Sequence, residues 1–356
     1  MRIDRLRMMD FRKFSEQSLE WREGLHLLWG PNGEGKTSVM EAIHVLATSR
    51  SCRSAKDAEL ARFGADQAAV AGVGAGAAGR EELKVVLGPG VRRLERNGKR
   101  VGLLGYAGAL EAVFFGSGSL EIARGGPGAR RRFLDRAIAA GRPSYLRTLG
   151  RYGRALRAWR EAALRGAKAQ ELESWEEMMA GYGAEIQRER AAYVEPLAAQ
   201  IGVRYQALFA ATESIAVRYR PSPAHAGLAP AARLQSAVAA SRHAALLAPG
   251  PQRDDMDLLI GGHPLRAAGS AGQQRGVVLT LILWVAERTA ELRGSAPILL
   301  IDDLEAELDP ARAERLVEAL GRMGQVFISS TRRELADRHP GMAVYALGDG
   351  KVRRAA

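Results

Sequence analysis

Apolar and polar positions alternate along residues 1–30 and end in the run GLHLLWG, which is typical of strands that lead into a glycine. Residues 38–47 then carry apolar side chains at helical spacing. Between 68 and 115 the pattern becomes one of short strands, with Asn97-Gly98 as a two-residue hairpin signal. The first third of the chain therefore predicts strands around one early helix.

The pattern changes to helical spacing at about residue 116 and keeps it to about residue 212. A helix starting near 143 has one apolar face, and a longer stripe from Trp175 to Ile201 contains Pro196, which is expected to kink or divide that helix. Strand-like sequence returns at 214–221, and the last hundred residues read β-α-β-α-β. These patterns predict an α/β domain built from 1–115 and 213–356, interrupted by a smaller helical domain at 116–212.

Composition narrows the class of protein. The chain has 356 residues, of which 47% are hydrophobic, and a formal net charge of +12. No run reaches the ~18 apolar residues of a membrane helix, and Cys52 is the single cysteine, which excludes an internal disulfide and a cysteine-based zinc site. We expect a cytoplasmic, soluble protein with a polyanionic partner, unless the charge reflects a general arginine bias.

The segment LHLLWGPNGEGKTSVMEAI matches the P-loop pattern in full, with a strand before it and a helix after it. Glycines let successive backbone N–H groups turn toward a triphosphate at the helix N-terminus. Lys36 would then bridge the β- and γ-phosphates, and the Thr37 hydroxyl would bind Mg²⁺. The ATP-binding residues predicted here are Gly30, Pro31, Asn32, Gly33, Glu34, Gly35, Lys36 and Thr37.

Besides the Thr37 hydroxyl, a P-loop site needs a carboxylate to hold Mg²⁺. The run PILLIDDLEAELD supplies one after a buried strand. Asp302 is the predicted metal residue, acting through water, and Asp303 is the predicted base that polarises the attacking water. Glu305 is the alternative base, since its side chain reaches farther.

The segment GSAGQQRGVVL places Ser270, Gly272 and Gln273 at the start of a long apolar helix. A hydroxyl, backbone N–H groups and a helix dipole form an anion site. One triphosphate does not need two such sites from one chain, so this site is expected to bind the γ-phosphate held by a second copy. The alternative is that Ser270 is an ordinary helix cap.

These motifs, in this order, resemble ATP-binding-cassette ATPases, and residues 6–47, from LRMMDFRKF through GPNGEGKTS to the end of the first helix, resemble the heads of SMC-like proteins. Four further segments resemble the RecF family of bacterial recombinational repair proteins. They are LATSRSCR, GGPGARRRFLDRAI, PGPQRDDMDLLIGG and PILLIDDLEAELDPARAERL. The resemblance implies an ATP-driven head-to-head dimer with slow, DNA-stimulated hydrolysis. It further implies gapped or junction DNA, RecO and RecR as partners, and places Asp309 at the dimer seam.

The chain departs from that family at two places. Residues 114–123, FFGSGSLEIA, replace a Pro-Glu-Asp-like stretch, and Ala271 replaces a longer polar residue. The position that is a histidine in transporters falls at about Ser330 or Thr331, as the resemblance to the family allows. The first departure leaves open how the helical arm senses nucleotide, and neither departure changes the residues that contact phosphate.

Basic residues are concentrated between 124 and 160. Arg147, Arg151 and Arg154 are spaced to form one stripe of a helix, able to follow DNA phosphates without reading bases. A solvated helix face is the alternative interpretation. Arg130, Arg131 and Arg132 are candidates for contacts with the head domain or a nucleotide.

Three functions are compatible with the motifs. The first is a DNA-repair ATPase, which the basic charge and the helical insert favour. The second is the energising subunit of a membrane transporter, which the late signature and the missing histidine disfavour. The third is a module that uses ATP as a conformational switch without hydrolysis, which a weak base at Asp303 would allow.

Overall fold

The computed structural model describes residues 1–54, 56–76, 79–223, 229–304 and 310–355, with the backbone alone described at Pro310 and Ala311. The chain falls into two compact units. The first comprises Met1–Leu120 with Arg275–Ala356, and the second comprises Glu121–Gln274. The predicted α/β fold interrupted by a second domain is confirmed.

The first unit begins with strands and one long helix. Its elements up to residue 120 are β1 (Arg2–Phe11), β2 (Phe14–Glu20), β3 (Leu25–Trp29), α1 (Lys36–Thr48), β4 (Ala68–Gly76), β5 (Gly79–Gly88), β6 (Val91–Arg96), β7 (Lys99–Val101), α2 (Leu103–Tyr106) and β8 (Ala112–Phe115), with short 3-10 helices at Asp57–Leu60 and Ser117–Leu120. Asn97 and Gly98 have φ of 51° and 73°, as the hairpin between β6 and β7 requires.

The second unit is mainly helical and also contains a small sheet. Its elements are α3 (Glu121–Arg124), α4 (Pro127–Gly141), α5 (Tyr145–Leu164), α6 (Ala169–Phe209), β9 (Ile215–Arg220), α7 (Pro230–Ala240), β10 (Asp255–Ile260), β11 (His263–Pro264) and α8 (Leu265–Ala268), with 3-10 segments at Arg242–Leu247 and Pro251–Arg253. α9 (Ala271–Arg293) begins at the end of this unit and continues into the first.

The remaining elements return to the first unit. They are β12 (Ile298–Ile301), α10 (Pro310–Leu320), β13 (Val326–Ser330), α11 (Glu334–Asp337), β14 (Ala343–Gly348) and β15 (Lys351–Arg354). Within the described residues, no helix has the length and apolar character needed to cross a membrane.

Two six-stranded sheets build the first unit. One is antiparallel with the order β2-β1-β4-β5-β6-β7, and the other has the order β15-β14-β3-β13-β12-β8. In the second sheet all neighbours from β14 to β8 run parallel. The carboxyl ends of β3, β13, β12 and β8 therefore lie along one edge, the place where ligands bind in parallel sheets.

Helix α1 lies in the core between these sheets. Its residues from Ser38 to Ala47 are all buried, and it packs against strands of both sheets. A helix that is buried on every side needs apolar side chains around its whole circumference, which VMEAIHVLA largely supplies. This burial fixes the helix whose N-terminus follows the P-loop.

The boundary of the second unit differs from the one expected from sequence. The expectation ends the helical domain at 212, whereas the unit extends to Gln274 and includes the sheet β11-β10-β9. The reason is packing: β9 lies against α6, and β10 lies against α4. A strand-like sequence pattern predicts a strand but does not predict which sheet that strand joins.

A buried polar network ties this segment to the helices. Asp254, which is 1% exposed, accepts hydrogen bonds from Gln187 Nε2 at 2.9 Å and from Arg190 Nη1 at 2.7 Å. Arg190 also donates two bonds of 2.9 Å to Asp135 on α4. Buried charges need such complete pairing, so the network fixes residues 251–255 against α4 and α6.

Helix α6 is continuous through Pro196 over 41 residues, so the expected division is absent. Tyr193, Leu197 and Ile201 are buried on either side of the proline. A proline costs about 3 kcal/mol inside a helix, and the burial of several large side chains exceeds that cost.

Candidate functional site

The P-loop joins β3 to α1 in the first unit. A Cβ at Gly30 would lie 2.4 Å from the carbonyl oxygen of Leu347, so only glycine fits where the chain leaves β3. Gly35 precedes α1 with φ of 99°, and a Cβ there would lie 2.9 Å from the ring of Phe14. The two glycines let the loop turn its backbone N–H groups toward one point.

Two lysines donate hydrogen bonds to different residues of the loop. The Lys36 ammonium is buried and donates to the carbonyl oxygens of Gly30 at 2.5 Å and Pro31 at 2.9 Å. Lys13, in the turn between β1 and β2, donates to the Gly33 carbonyl at 3.0 Å and the Glu34 carboxylate at 3.0 Å. The sequence does not predict Lys13, because only the fold brings that turn to the loop.

Asp302 lies at the end of β12 and faces the P-loop helix. The Thr37 hydroxyl is 3.0 and 2.9 Å from the two carboxylate oxygens of Asp302, and the Ser329 hydroxyl donates to one of them at 2.6 Å. The Asp302 N–H donates to the Phe115 carbonyl at 2.8 Å, which aligns β12 with β8. The predicted pair Thr37 and Asp302 is thus brought together, and Ser329 is an addition that sequence reasoning missed.

These oxygens fit a magnesium ion. Mg²⁺ prefers oxygen ligands and is usually held by one or two carboxylates together with substrate phosphates and water. Thr37 and Asp302 provide one hydroxyl and one carboxylate beside the phosphate-binding loop. Within the described part of the chain there is no group of three or more His, Cys, Asp or Glu side chains that could hold a metal.

Asp303 follows directly and is exposed. Its N–H donates to the Ser329 hydroxyl at 2.8 Å, and its φ of 54° is left-handed. The residue is therefore at the same sheet edge as Asp302. Glu305, the alternative base, and Asp309 lie outside the described residues, so the choice between the two bases stays a prediction.

The stretch that departs from the family pattern lies beside Asp302. Gly116 follows β8, and its N–H donates to the Ser119 hydroxyl at 3.2 Å in a tight turn. A Cβ at Gly116 would be 2.7 Å from the Phe114 ring and 3.3 Å from the Asp302 Cβ. The glycine is thus required for the approach of this turn to the carboxylate.

The segment after α1 is anchored to a buried carboxylate. Glu41 is fully buried and accepts two hydrogen bonds from Arg12 at 2.7 and 2.8 Å and a third from the Ser51 hydroxyl. Burial, together with the negative charges of Glu41 and Asp302, raises the pKa of the neighbouring Cys52 thiol. Cys52 is therefore protonated at neutral pH and is not a nucleophile.

The signature residues lie in the second unit at the start of α9. The Ser270 N–H donates to Gln273 Oε1 at 2.8 Å, and the Gln273 N–H donates to the Ser270 hydroxyl at 3.3 Å. This reciprocal pair is a capping box. Gln273 Nε2 also donates to Glu213 Oε1 at 2.7 Å, a contact that the sequence did not suggest. Ser270 and Ala271 are exposed and Gly272 is half-buried, so the helix start is accessible to a ligand.

The arginine stripe is on the surface of α5. Arg147, Arg151 and Arg154 are all exposed, and the Arg151 guanidinium carbon lies 5.8 Å from the centre of the Tyr182 ring. The opposite face is buried through Tyr145, Thr148, Tyr152, Ala155, Leu156, Trp159 and Ala162. The predicted amphipathic geometry is present, although it does not itself distinguish a DNA contact from a solvated face.

The neighbouring arginines of α4 have structural roles within the second unit. Arg130 forms a paired interaction with Asp255 at 2.8 and 3.1 Å, and Arg131 donates to the Asp254 carbonyl at 2.7 Å. Arg132 is exposed. Arg130 and Arg131 thus hold the start of β10 and the residue before it. The sequence suggests contacts with the head domain or a nucleotide instead.

The parallel sheet, the P-loop and the carboxylate after β12 define a P-loop ATPase of the ABC and SMC-head type. Residues 5–100 match a family model described as an AAA domain. The fold is similar to that of a Pyrococcus furiosus Smc head domain, with a TM-score of 0.59 and 15% identity over 99% of this chain and 95% of that chain.

Two further comparisons are more specific. The chain is 36% identical over 372 residues to the DNA replication and repair protein RecF of Anaeromyxobacter sp. (strain K), with 99% of each chain covered. It is similar to a structure described as the recombination mediator protein RecF-ATP in the RecFOR pathway, with a TM-score of 0.88 and 27% identity over 99% of this chain and 97% of that chain. The chain belongs to the RecF family of DNA replication and repair proteins.

Proposed function

We propose that the protein is an ATP-dependent DNA-binding ATPase that closes into a head-to-head dimer when it binds ATP. The observation that carries this proposal is the meeting of Thr37 and Asp302 at 2.9 to 3.0 Å beside a complete P-loop. In this arrangement one chain can hold the phosphates and the metal. The signature in the second unit then remains available for the nucleotide of another copy.

Each residue has a distinct task in the proposed reaction. Lys36 exchanges its loop carbonyls for the β- and γ-phosphate oxygens, while Thr37 and Asp302 hold Mg²⁺. When held there, Mg²⁺ would supply positive charge to balance that of the phosphates. Asp303 orients the attacking water and accepts its proton as the oxygen bonds to the γ-phosphorus and the bond to the ADP oxygen breaks. The proton then passes to solvent, because Asp303 is exposed.

The second copy contributes the signature residues. The Ser270 hydroxyl oxygen already accepts a hydrogen bond from the Gln273 N–H, and its own hydrogen is able to donate to a γ-phosphate oxygen. Gly272 lets the phosphate approach the backbone at the helix N-terminus, where the dipole favours an anion. ATP with its γ-phosphate would thus link two copies, and loss of that phosphate would release them.

DNA is the proposed polyanionic partner. The net charge of +12 and the surface stripe of Arg147, Arg151 and Arg154 support contacts with phosphates rather than with bases. The related structure is described within the RecFOR pathway. We therefore propose that the protein acts in the cytoplasm, at gapped or junction DNA, together with RecO and RecR. Its ATP hydrolysis is slow, is stimulated by DNA and serves as a switch.

The test of the composite site is Ser270→Arg. The variant should bind ATP as a monomer with unchanged affinity, because the P-loop is in the other unit, but it should not form the ATP-driven dimer or release phosphate. Ser270→Ala, which removes the hydroxyl without adding bulk, is the matched variant and should show a weaker defect. Dimerisation is measured by sedimentation and ATP binding by a fluorescent analogue.

A mixture sharpens the test. When Ser270→Arg is mixed with Lys36→Ala, one composite site carries both defects and the other has an intact P-loop and an intact signature. Partial phosphate release is expected from the mixture and none from either protein alone. Wild-type dimerisation and phosphate release by pure Ser270→Arg would contradict the composite site and leave Ser270 as a helix cap.

A further inference from the structure

The backbone of Asp303 is held at both of its polar groups by side chains. Its N–H donates to the Ser329 hydroxyl at 2.8 Å, and its carbonyl oxygen accepts a hydrogen bond from Arg275 Nη2 at 2.5 Å. The residue has a left-handed φ of 54°. Non-glycine residues are disfavoured in that conformation, so the surrounding contacts must maintain it.

Arg275 is suited to maintain it. It is 3% exposed and lies in α9, in the first unit together with Asp303. Its guanidinium carbon is 4.8 Å from the centre of the Phe115 ring, and Phe115 is the last residue of β8. The ring fixes the plane of the guanidinium, and a charged donor forms a stronger bond to a carbonyl than a neutral one does.

The conformation of Asp303 sets the direction of its carboxylate. Asp302 is held in the strand line by its N–H bond to the Phe115 carbonyl at 2.8 Å, whereas Asp303 is exposed. If Asp303 rotated about φ out of the left-handed conformation, its Cβ and its carbonyl would turn together, and the carboxylate would point in another direction. The rotation is opposed by Arg275 at the carbonyl and by Ser329 at the N–H.

We propose that Arg275 is a positioning residue for ATP hydrolysis, which acts by holding Asp303 in the orientation needed to accept a proton from water. The proposal rests on the proposed role of Asp303 as the base. It assigns to Arg275 a specific effect on the chemical step and none on ATP binding. A purely structural role would instead reduce stability, and with it every activity in proportion.

The experiment is a double-mutant cycle with Arg275→Met and Asp303→Asn, measured as single-turnover phosphate release by the full chain at saturating ATP and DNA. Arg275→Met keeps the apolar bulk against Phe115 and removes the donors. We expect Asp303→Asn and Arg275→Met each to slow release at least about tenfold, with unchanged affinity for ATP. In the double variant, the loss should be no greater than that of Asp303→Asn alone, because Arg275 acts through Asp303.

Two further variants separate positioning from folding. Arg275→Lys keeps a charged donor and should retain more activity than Arg275→Met at a similar midpoint of thermal unfolding. Arg288→Met, on the same helix and paired with Glu291 at 2.7 Å on the surface, should leave phosphate release unchanged. Losses that multiply in the double variant, or a matching loss of ATP affinity, would overturn the role of Arg275. A wild-type rate for Asp303→Asn alone would remove the assigned base, and the role of Arg275 with it.

Discussion

The P-loop edge and the signature segment are both built to meet a phosphate, yet their side chains are satisfied in different ways. At the P-loop edge, Lys36 and Thr37 contact Gly30, Pro31 and Asp302, which come from different parts of the chain, and Lys36 is buried. At the signature, Ser270 and Gln273 cap their own helix near the surface. The first region is assembled by the fold of one chain, whereas the second is complete as a helix start and, on the proposed function, becomes a ligand site only with a second copy.

The largest expected effect is that of removing Lys36. Lys36→Ala should weaken ATP binding by at least about 100-fold and abolish the ATP-driven dimer, because two charge-assisted hydrogen bonds to phosphate are lost. The measurement is binding of a fluorescent ATP analogue. Lys13→Ala is the control, since the exposed bonds of Lys13 go to Gly33 and Glu34, and the affinity should change by less than about threefold. If Lys36→Ala still forms the dimer with ATP, the function assigned to the P-loop is wrong, and so is the distinction drawn between the P-loop edge and the signature segment.

The second prediction concerns the folding of the first unit. His26 in β3 is fully buried, its ring lies 4.6 Å from that of Phe327 in a stacked arrangement, and its pKa is lowered from 6.5 to about 4 mainly by burial. Between these two pH values the unfolded chain binds a proton that the folded chain does not. The free energy of unfolding should therefore fall by about 3 kcal/mol as the pH drops from about 6.5 to 4, and level off below that.

Urea unfolding of His26→Phe tests this linkage. The variant should lose most of the fall in stability between about pH 6.5 and about pH 4, because the ring packing remains and the titrating group is gone. His263→Gln, at an exposed position in the second unit, should keep the wild-type pH dependence. An unchanged acid response in His26→Phe would assign the pH dependence to other groups.

The third prediction extends the comparison to the stripe on α5. Replacing Arg147, Arg151 and Arg154 together with glutamine should weaken DNA binding equally for all sequences. The slope of log affinity against log salt should shrink by roughly 0.9 for each duplex phosphate that the protein no longer neutralises. The matched control replaces three exposed arginines of the first unit, Arg80, Arg93 and Arg100, which removes the same charge. If both triple variants lose DNA affinity equally, the contribution of the stripe is only that of its net charge.

The smallest expected effect lies at Glu213. Glu213→Ala frees Gln273 Nε2 and should weaken the ATP-driven dimer by about fivefold, the value of one half-buried hydrogen bond, with ATP binding unchanged. Glu213→Gln keeps an acceptor for the amide and should restore most of the dimer. If both variants dimerise like the wild type, the orientation of Gln273 does not contribute to the signature.

The sequence predicts where the P-loop and Asp302 lie in the fold, because both follow buried strands and their positions are fixed by local spacing. It does not identify Lys13, Ser329 or Arg275, since each reaches the site through a tertiary contact that no local pattern encodes. The boundary expected at 212 differs from that of the compact unit for a similar reason. The sequence predicts β9 and β10 as strands, while their packing on α6 and α4 depends on the whole fold.

The burial of α1 on every side has a consequence for hydrogen exchange. Amide protons in a helix without a solvent face are expected to exchange with deuterium only when the whole first unit opens. The loop amides of Asn32 and Gly33 lie at exposed positions and should exchange through small local motions. Nucleotide binding should therefore slow deuterium uptake in the loop at short labelling times, while uptake in α1 reports the rate of global opening.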